Sequence, residues 1–270
     1  GGVLGSSNAD WIHFNSIYYN ENLDQIVLSS RMLSELYIID HSTTTEEAAS
    51  HTGGNSGKGG DFLYRWGNPQ NYLRETSASQ ILNSQHSVNW IDNGYPGEGN
   101  IIIFNNFHYG NNSAIIEISP PVDSNGHYSI SEGDPYGPES WEWMFYNNDV
   151  LGGQIAQSGV FRLYNGNTYI TTFSDAKMTE VDYNGTVLFE FDLPDLNAKI
   201  NRAKKYPPNY LLNQFTGDLN HDELINILDI ILLAEIIVNE QGFEILADIN
   251  NDGIIDVLDI TNLINIILEN

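Results

Sequence analysis

The chain has 270 residues, 41% of them hydrophobic, which is ordinary for a folded protein with one large domain and one small domain. Its 36 acidic and 10 basic residues give a net charge of −26; such a surface repels nucleic acids and anionic membranes and favours a protein that meets cations. The absence of cysteine excludes disulfides and thiolate chemistry.

The first residues, GGVLGSS, lack an initial Met, which is typical of a processed or truncated N-terminus. No apolar run in the sequence reaches the length of about 20 residues that a membrane-spanning helix needs. We therefore predict no membrane span, and the composition is compatible with an extracellular or periplasmic protein.

Residues 11–192 contain short alternating or apolar runs separated by turn signals, which predicts strands. The strands fall into three groups of four, within residues 13–67, 86–146 and 159–192. A polar residue stands at the start of the first strand of each group: His13, His86 and Ser158, at intervals of 73 and 72 residues. Four-stranded units that recur around a ring predict a β-propeller.

Propellers close with about 4 to 8 blades, so three groups predict a partial propeller that lacks N-terminal blades. The alternative is an open three-group sandwich with exposed strand edges. Residues 41–60 form a polar insertion whose His41 and His51 could be ligands, although ordinary solvated loop residues are the favoured interpretation. We expect the blades within 1–192, a closing segment and linker at 193–216, and a separate domain at 217–270.

The closing segment carries four basic residues, followed by a Pro-Pro pair. These residues are Lys199, Arg202, Lys204 and Lys205. We expect their charges to lie against the acidic body of the protein rather than on DNA.

Residues 217–270 hold twelve Asp or Glu residues, no Lys or Arg, and one acidic pattern repeated after 30 residues. Oxygen-bearing side chains at positions 1, 3, 5 and 12 of a 12-residue loop, with a backbone carbonyl at position 7 and a direct or water-mediated ligand at position 9, are the ligands of Ca²⁺ in EF-hand loops. We predict two Ca²⁺ ions. The predicted ligands are Asp218, Asn220, Asp222, Leu224, Asn226 and Asp229 in the first loop, and Asp248, Asn250, Asp252, Ile254, Asp256 and Asp259 in the second.

Each loop leads directly into an apolar helix, and the two helices are expected to pack together. The second loop has Gly253 at the sharp-turn position where the first has Glu223, so the second should be better formed. An acidic surface helix pair without metal is the alternative, but it does not explain two copies of one spacing. The whole segment resembles a type I dockerin module. That resemblance implies a small α-helical, calcium-binding, EF-hand-like domain that docks to a cohesin-like protein or another cell-surface partner.

In well-known dockerins the residues just before the last ligand are rich in hydroxyl groups and contact the partner. Here these positions are occupied by Ile227-Leu228 and Val257-Leu258. This departure leaves open that a receptor other than cohesin anchors the protein to a surface.

The strand region resembles the arylsulfotransferase family. The similarity is carried by DWIHFNSIYYNENLDQIVLSSR (10–31), GGDFLYRWGNPQNY (59–72), QHSVNWID (85–92), GNIIIFNN (99–106), SGVFRLYNGNTYI (158–170) and RAKKYPPNY (202–210). This resemblance implies an all-β propeller of six blades, of which about three are in this chain. It also implies that a sulfuryl group passes from an aryl sulfate to a phenol through a transiently sulfated histidine.

The resemblance implies catalytic roles for His13 in the Asp-Trp-x-His motif, His86 in Gln-His and Arg31 in Ser-Ser-Arg. His108 lies near the position where the family has a further arginine, and Met32 replaces a histidine that often follows the Ser-Ser-Arg motif. A structural, hydrogen-bonding role for His13 and His86 stays open, as does an ion-pair role for Arg31. Arg65 is expected to form an ion pair, and the tryptophans to pack between blades.

Two functions are therefore considered. The first is a secreted aryl-sulfate sulfotransferase that acts on aryl sulfates and phenolic acceptors and is anchored by a calcium-loaded dockerin-like tail. The alternative is a non-catalytic propeller that binds ligands or proteins and is displayed through the same tail.

Overall fold

The computed structural model describes residues 10–76, 79–194, 197–206, 216–220, 222, 224–239 and 246–269. The chain divides into two compact units, Gly1–Lys205 and Tyr206–Asn270. Each unit is described by itself.

The first unit contains three four-stranded antiparallel sheets, and within each sheet the strands neighbour one another in chain order. The first blade comprises β1 (Phe14–Asn20), β2 (Gln25–Ser30), β3 (Glu35–Asp40) and β4 (Tyr64–Trp66). The second blade comprises β5 (His86–Trp90), β6 (Ile101–Tyr109), β7 (Asn112–Ile118) and β8 (Trp143–Phe145). The third comprises β9 (Gly159–Arg162), β10 (Thr168–Thr172), β11 (Lys177–Val181) and β12 (Val187–Asp192). The predicted blade-type, all-β fold is thereby confirmed.

Successive side chains of a strand point to opposite faces of its sheet. Short runs in which apolar residues alternate with polar ones therefore place their apolar side chains on one face, toward a neighbouring blade. One buried apolar cluster joins the first and second blades and includes Trp66 and Trp90. A second cluster joins the second and third blades and includes Trp143. Trp141 packs against the first cluster. The expectation that Trp66, Trp90, Trp141 and Trp143 pack between blades is confirmed.

Short helical turns lie in the connections: α1 (Thr45–Ala48), a 3₁₀ turn at Pro69–Tyr72, and α2 (Asn148–Leu151). The insertion that contains α1 also contains both histidines considered as ligands. His41 Nδ1 lies 2.6 Å from an Asp24 oxygen, and His51 Nδ1 lies 2.8 Å from an oxygen of Asp61. Across the described residues, no group of three or more His, Cys, Asp or Glu side chains is placed to hold a metal ion.

Two buried glutamates of the blades are each neutralised by an arginine. Arg65 donates to both Glu35 oxygens, at 2.9 and 2.6 Å, within the first blade. Arg162 of β9 contacts Glu117 of β7 and so links the third blade to the second. The ion-pair role expected for Arg65 is confirmed.

The closing segment lies against the strand unit through its basic side chains, as expected. Lys199 donates to the Ser174 carbonyl at 2.7 Å, Lys204 to Asp92 at 3.2 Å and Lys205 to Glu180 at 2.5 Å. The Arg202 guanidinium lies 6.0 Å from the centre of the Phe161 ring. These contacts reach residues of both the second and the third blades.

The C-terminal unit contains α3 (Ile227–Val238) and α4 (Val257–Glu269). They pack on each other around Leu233, Ile236 and Leu263, with Leu219 and Ala247 from the loops that precede them. Among the described residues, no helix combines the length and apolar character that crossing a membrane would require.

Candidate functional site

The innermost strands of the three blades are joined by polar contacts. Asn15 of β1 donates to the Gln85 carbonyl at 2.7 Å. The hydroxyl of Ser87 in β5 accepts the Val160 N–H of β9 at 3.1 Å. The predicted site residues His13 and His86 stand at the starts of β1 and β5, so this network fixes the two backbones that carry them.

His13 is held in an unusual backbone conformation. Its φ is +50°, in the left-handed region that non-glycine residues rarely adopt. Its carbonyl accepts the Arg31 N–H at 3.1 Å, and the carbonyl of Ile12 accepts the Ser30 hydroxyl at 2.5 Å. The end of β2 therefore fixes the turn that presents the His13 ring and places Arg31 beside it.

The His13 ring is partly exposed, and its Nδ1 contacts a carboxylate oxygen of Asp10. A carboxylate can only accept, so the proton of this contact lies on Nδ1. Within the described part of the chain, no hydrogen bond to Nε2 is observed. Nε2 is therefore the ring nitrogen that is left available to a bound molecule.

His86 is buried and hydrogen-bonded at both ring nitrogens. Asn106 uses its amide nitrogen to donate to the Gln154 and Gln157 carbonyls, so its oxygen accepts the proton of His86 Nδ1 at 2.8 Å. Nε2 accepts the Gln157 N–H at 3.2 Å, the long end of the range for such bonds. The ring is thus held as one neutral tautomer with its lone pair on Nε2.

Burial is the largest cause of a lowered pKa at His86, and the positive charges of Arg31 and His13 lower it further, against an opposing effect of the bond to Asn106. Backbone contacts bring the three residues together: Arg31 donates its N–H to the His13 carbonyl at 3.1 Å, and the 2.7 Å bond from Asn15 to the Gln85 carbonyl joins positions within two residues of His13 and His86.

The Arg31 guanidinium has donors to spare. Its only side-chain hydrogen bond in the described part of the chain is a 3.4 Å contact from Nη1 to the Met32 sulfur, a weak acceptor. By contrast, Arg65 and Arg162 are both neutralised by glutamates. Arg31 is therefore suited to bind the oxygens of an anion.

The fourth predicted site residue, His108, is held elsewhere. Its Nδ1 accepts from the Asn105 amide at 3.2 Å, and its ring packs edge-on against Tyr109 and Trp141. The proton must then lie on Nε2, which is buried without a hydrogen-bond partner among the described residues. Burial lowers the pKa of His108.

Asn105 and Asn106 are adjacent on β6, where successive side chains face opposite sides of the sheet. Asn105 contacts Ile81 in the connection from the first blade, whereas Asn106 contacts Gln154 in the connection to the third. The two histidines that these asparagines hold are consequently on different sides of the second blade. His108 is not part of the group formed by His13, His86 and Arg31.

The two predicted calcium loops fold alike around their last ligand. One carboxylate oxygen of the buried Asp229 accepts the N–H groups of Leu219 and Asn220, and the other accepts that of Asn226 at 2.8 Å. Asp259 repeats this arrangement with Ile249, Asn250 and Asp256, again at 2.8 Å for the last. The 30-residue sequence repeat is therefore a repeat of hydrogen bonds as well.

The remaining side chains of the second loop turn inward. The Asp252 N–H donates to oxygens of both Asp248 (3.1 Å) and Asn250 (2.9 Å), which brings these two predicted ligands together. Gly253 has φ +84°, as the sharp turn of such a loop requires. Its counterpart Glu223 lies outside the described residues, so the expected difference between the loops stays a prediction.

The predicted ligands offer only oxygen donors, the donor type that a hard cation such as Ca²⁺ prefers. Asp218, Asp229, Asp248 and Asp259 are all buried, and neither Lys nor Arg is present in residues 206–270 to neutralise them. A carboxylate oxygen that already accepts an N–H retains a lone pair for a metal. A divalent ion in each loop would supply the missing positive charge.

Exposed apolar pairs stand at the start of both helices. Ile227 and Leu228 of α3 are 64% and 51% exposed, and Val257 and Leu258 of α4 are 64% and 54% exposed. Their positions are related by the same 30-residue repeat. The chain thus presents two equivalent exposed apolar pairs.

Two family models match the chain. Residues 2–132 match the model described as Arylsulfotransferase (ASST), and residues 216–268 match the type I dockerin domain. One segment of the chain is thus similar to the arylsulfotransferase family and another to the type I dockerin domain. No curated protein is a significant match.

Several solved structures resemble this chain in general shape. A streptogramin B lyase is 14% identical, with a TM-score of 0.37 over 67% of this chain and 41% of its own. The β-propeller domain of Myceliophteria thermophila Cps50 (Swd1) is 11% identical, with a TM-score of 0.39 over 70% of this chain and 42% of its own. The WD40 domain of Toxoplasma gondii coronin is 9% identical, with a TM-score of 0.38 over 68% of this chain and 36% of its own. The chain spans less than half the length of each of these three.

Sequence reasoning missed three residues of the histidine site: Asp10, Asn106 and Gln157. Asp10 could have been identified from the sequence, because it is the first residue of the Asp-Trp-x-His motif that singled out His13. The contacts of His86 to Asn106 and Gln157 span 20 and 71 residues of sequence and had no local signal.

Proposed function

We propose that the strand unit of this arylsulfotransferase-family protein transfers a sulfuryl group from an aryl sulfate to a phenolic acceptor. The observation that carries the proposal is that Arg31, at the end of β2, lies beside His13 at the start of β1, and that His86 stands at the start of β5, the innermost strand of the next blade. Two imidazoles in different environments suit two different roles, and a guanidinium with spare donors suits a sulfate group.

His86 is the candidate nucleophile. It is buried and neutral, its Nδ1 proton is fixed by Asn106, and its lone pair is therefore on Nε2. Attack of Nε2 on sulfur breaks the sulfur–oxygen bond to the aryl group and gives a sulfated histidine. The Gln157 N–H must first be released from Nε2, and its 3.2 Å bond is a weak one to break.

In the second half of the reaction the phenol oxygen attacks the same sulfur. The nitrogen–sulfur bond breaks, its electron pair returns to His86 Nε2, and the aryl sulfate product leaves. Arg31 binds the sulfate oxygens in both halves, whereas the partly exposed His13 is placed to exchange a proton with the aryl oxygen.

Phenol-dependent release of nitrophenol from p-nitrophenyl sulfate by the full chain would test this function. We expect H86A, H13A and R31A each to lower transfer by about a hundredfold or more. The control is R74A, which removes an exposed arginine that is not in the group. Transfer that survives in both H13A and H86A would contradict these assignments.

A non-catalytic binding module is the second candidate function. It is favoured by one observation: both nitrogens of His86 are already used to join the second blade to the connection that precedes β9. Binding of an aryl sulfate that requires Arg31, without any turnover, would support this alternative.

For the tail, we propose that residues 216–268 bind two calcium ions and dock the protein to a cohesin-type partner outside the cytoplasm. The apolar pairs at the helix starts are the proposed contacts. The partner would then present an apolar surface. I227D/L228D together with V257D/L258D should abolish capture of such a partner while leaving calcium binding intact, as measured by calorimetry.

A further inference from the structure

Asp10 has no role in the function proposed above, yet it is the side chain that contacts His13 Nδ1. Both side chains are partly exposed, at 58% for Asp10 and 39% for His13. An exposed ion pair of this kind contributes little to folding, because water screens it. Stability is therefore a poor explanation for the contact, and its effect on the ring is the better one.

The contact decides which nitrogen of His13 can react. Asp10 accepts the proton of Nδ1, and Nε2 is left to gain or lose a proton. The backbone around the ring is fixed at the same time, because Arg31 and Ser30 hold the carbonyls of His13 and Ile12. A left-handed φ of +50° at His13 is a strained conformation of the kind that clusters at functional sites.

We propose that Asp10 is a positioning residue that holds His13 with Nε2 toward the aryl oxygen, so that His13 acts as the general acid and base of sulfuryl transfer. This inference rests on the proposed function. As the aryl oxygen leaves sulfur with its electron pair, it takes the Nε2 proton of protonated His13, whose positive charge Asp10 has balanced. In the second half, neutral Nε2 takes the proton of the attacking phenol, which restores the starting state.

Donors with different leaving groups test the proposal. Nitrophenolate is a stable anion that departs with little protonation, whereas the phenolate of phenyl sulfate needs a proton to leave. With a naphthol as acceptor, D10N should therefore lower kcat/KM for phenyl sulfate by about tenfold or more, and lower it much less for p-nitrophenyl sulfate. The ratio kcat/KM of the donor reports only the half-reaction in which its aryl oxygen leaves, whereas the second half is common to both donors.

D61N is the matched control, because Asp61 forms a similar exposed contact with His51, outside the group. We expect D61N to leave the transfer of both donors unchanged, and D10E to restore part of the activity lost in D10N. Equal losses for both donors in D10N, or a D10N enzyme that behaves like D61N, would overturn the proposal.

A measurement without turnover separates this inference from the proposed function. Nitrogen NMR of the His13 ring should show the proton on Nδ1 of the neutral form, and a mixture of both tautomers in D10N. If the tautomer is as expected but no aryl sulfate is turned over, the function fails and the positioning contact stands. If transfer occurs but D10N does not change the tautomer, the role of Asp10 fails alone.

Discussion

The two units of this protein neutralise buried carboxylates in different ways. In the strand unit Glu35, Glu117 and Glu180 are each paired with an arginine or lysine of the same unit. In the C-terminal unit Asp229 and Asp259 accept backbone N–H groups, and residues 206–270 contain neither lysine nor arginine. The three buried glutamates of the strand unit thus have basic partners within that unit, whereas a cation from solution would have to neutralise the buried aspartates of the C-terminal unit.

The largest effect is expected on removal of calcium, which tests this difference between the two units. Without an ion, the carboxylates crowded into each loop repel one another, so the free energy of metal binding is also folding energy for the C-terminal unit. We expect a chelator to abolish the helical circular dichroism of α3 and α4 and to leave the strand signal and the tryptophan fluorescence unchanged.

Readdition of calcium should restore the helices, and magnesium should do so less well because it tolerates the six-to-eight-oxygen geometry poorly. A helical signal that persists in excess chelator would show that the loops are stable without metal, and the comparison between the units would fail.

Much of this difference could be read from the sequence. The 30-residue repeat predicted two loops that fold alike, and the turn signals predicted all twelve strands. The outermost strands β4 and β8 are shorter than expected, three residues each, since Gly67 with φ +116° ends the first and an irregular connection precedes the second. The roles of the predicted calcium ligands and of His13, His86 and Arg31 stay predictions.

What the sequence could not supply were contacts between distant segments. His108 looked equivalent to a family arginine by position, but its side of the second blade depends on Asn105, whose own partners lie in the connection from the first blade. The pairing of Glu117 with Arg162 likewise joins residues 45 positions apart. Such contacts depend on how the blades pack, not on local pattern.

Breaking that pair is the second test. Arg162 is buried, contacts Glu117, donates to the Thr168 hydroxyl at 2.7 Å and lies 4.8 Å from the centre of the Trp143 ring. R162M leaves the charge of Glu117 buried and unpaired, which should lower the free energy of unfolding of the strand unit by about 3–5 kcal/mol. Urea denaturation followed by tryptophan fluorescence measures this.

The double variant E117L/R162M is the control for that experiment. It removes both charges together, so most of the lost stability should return. A double variant as unstable as R162M would mean that lost packing and hydrogen bonds, rather than the unpaired charge, cause the loss.

The third test concerns the closing segment. Lys204 lies 3.2 Å from Asp92, and Asp92 also accepts a hydrogen bond from the Tyr18 hydroxyl at 2.5 Å. Burial and the bond to Asp92 raise the pKa of Tyr18 to about 12. K204M should lower the free energy of unfolding by about 1 kcal/mol, and the loss should shrink in high salt because the ion pair is partly exposed.

The matched control is K58M, in the exposed insertion, which should change stability negligibly. A K204M effect that does not depend on salt would assign the loss to packing of the lysine stem rather than to charge.

The smallest effect is expected at His108, a buried polar side chain of the strand unit. His108 Nε2 carries a buried proton with no acceptor in the described residues, beside the rings of Tyr109 and Trp141. H108F replaces this donor with an apolar edge and should raise the free energy of unfolding at pH 7 by about 1 kcal/mol or less.

The pKa of His108 is lowered by burial, so below about pH 6.5 the unfolded chain binds a proton that the native ring does not, and stability falls as the pH falls. H108F should remove that part of the pH dependence, whereas H127F, at an exposed histidine near Asp123, should not. If H108F instead abolished sulfuryl transfer without loss of stability, His108 would belong to the site after all.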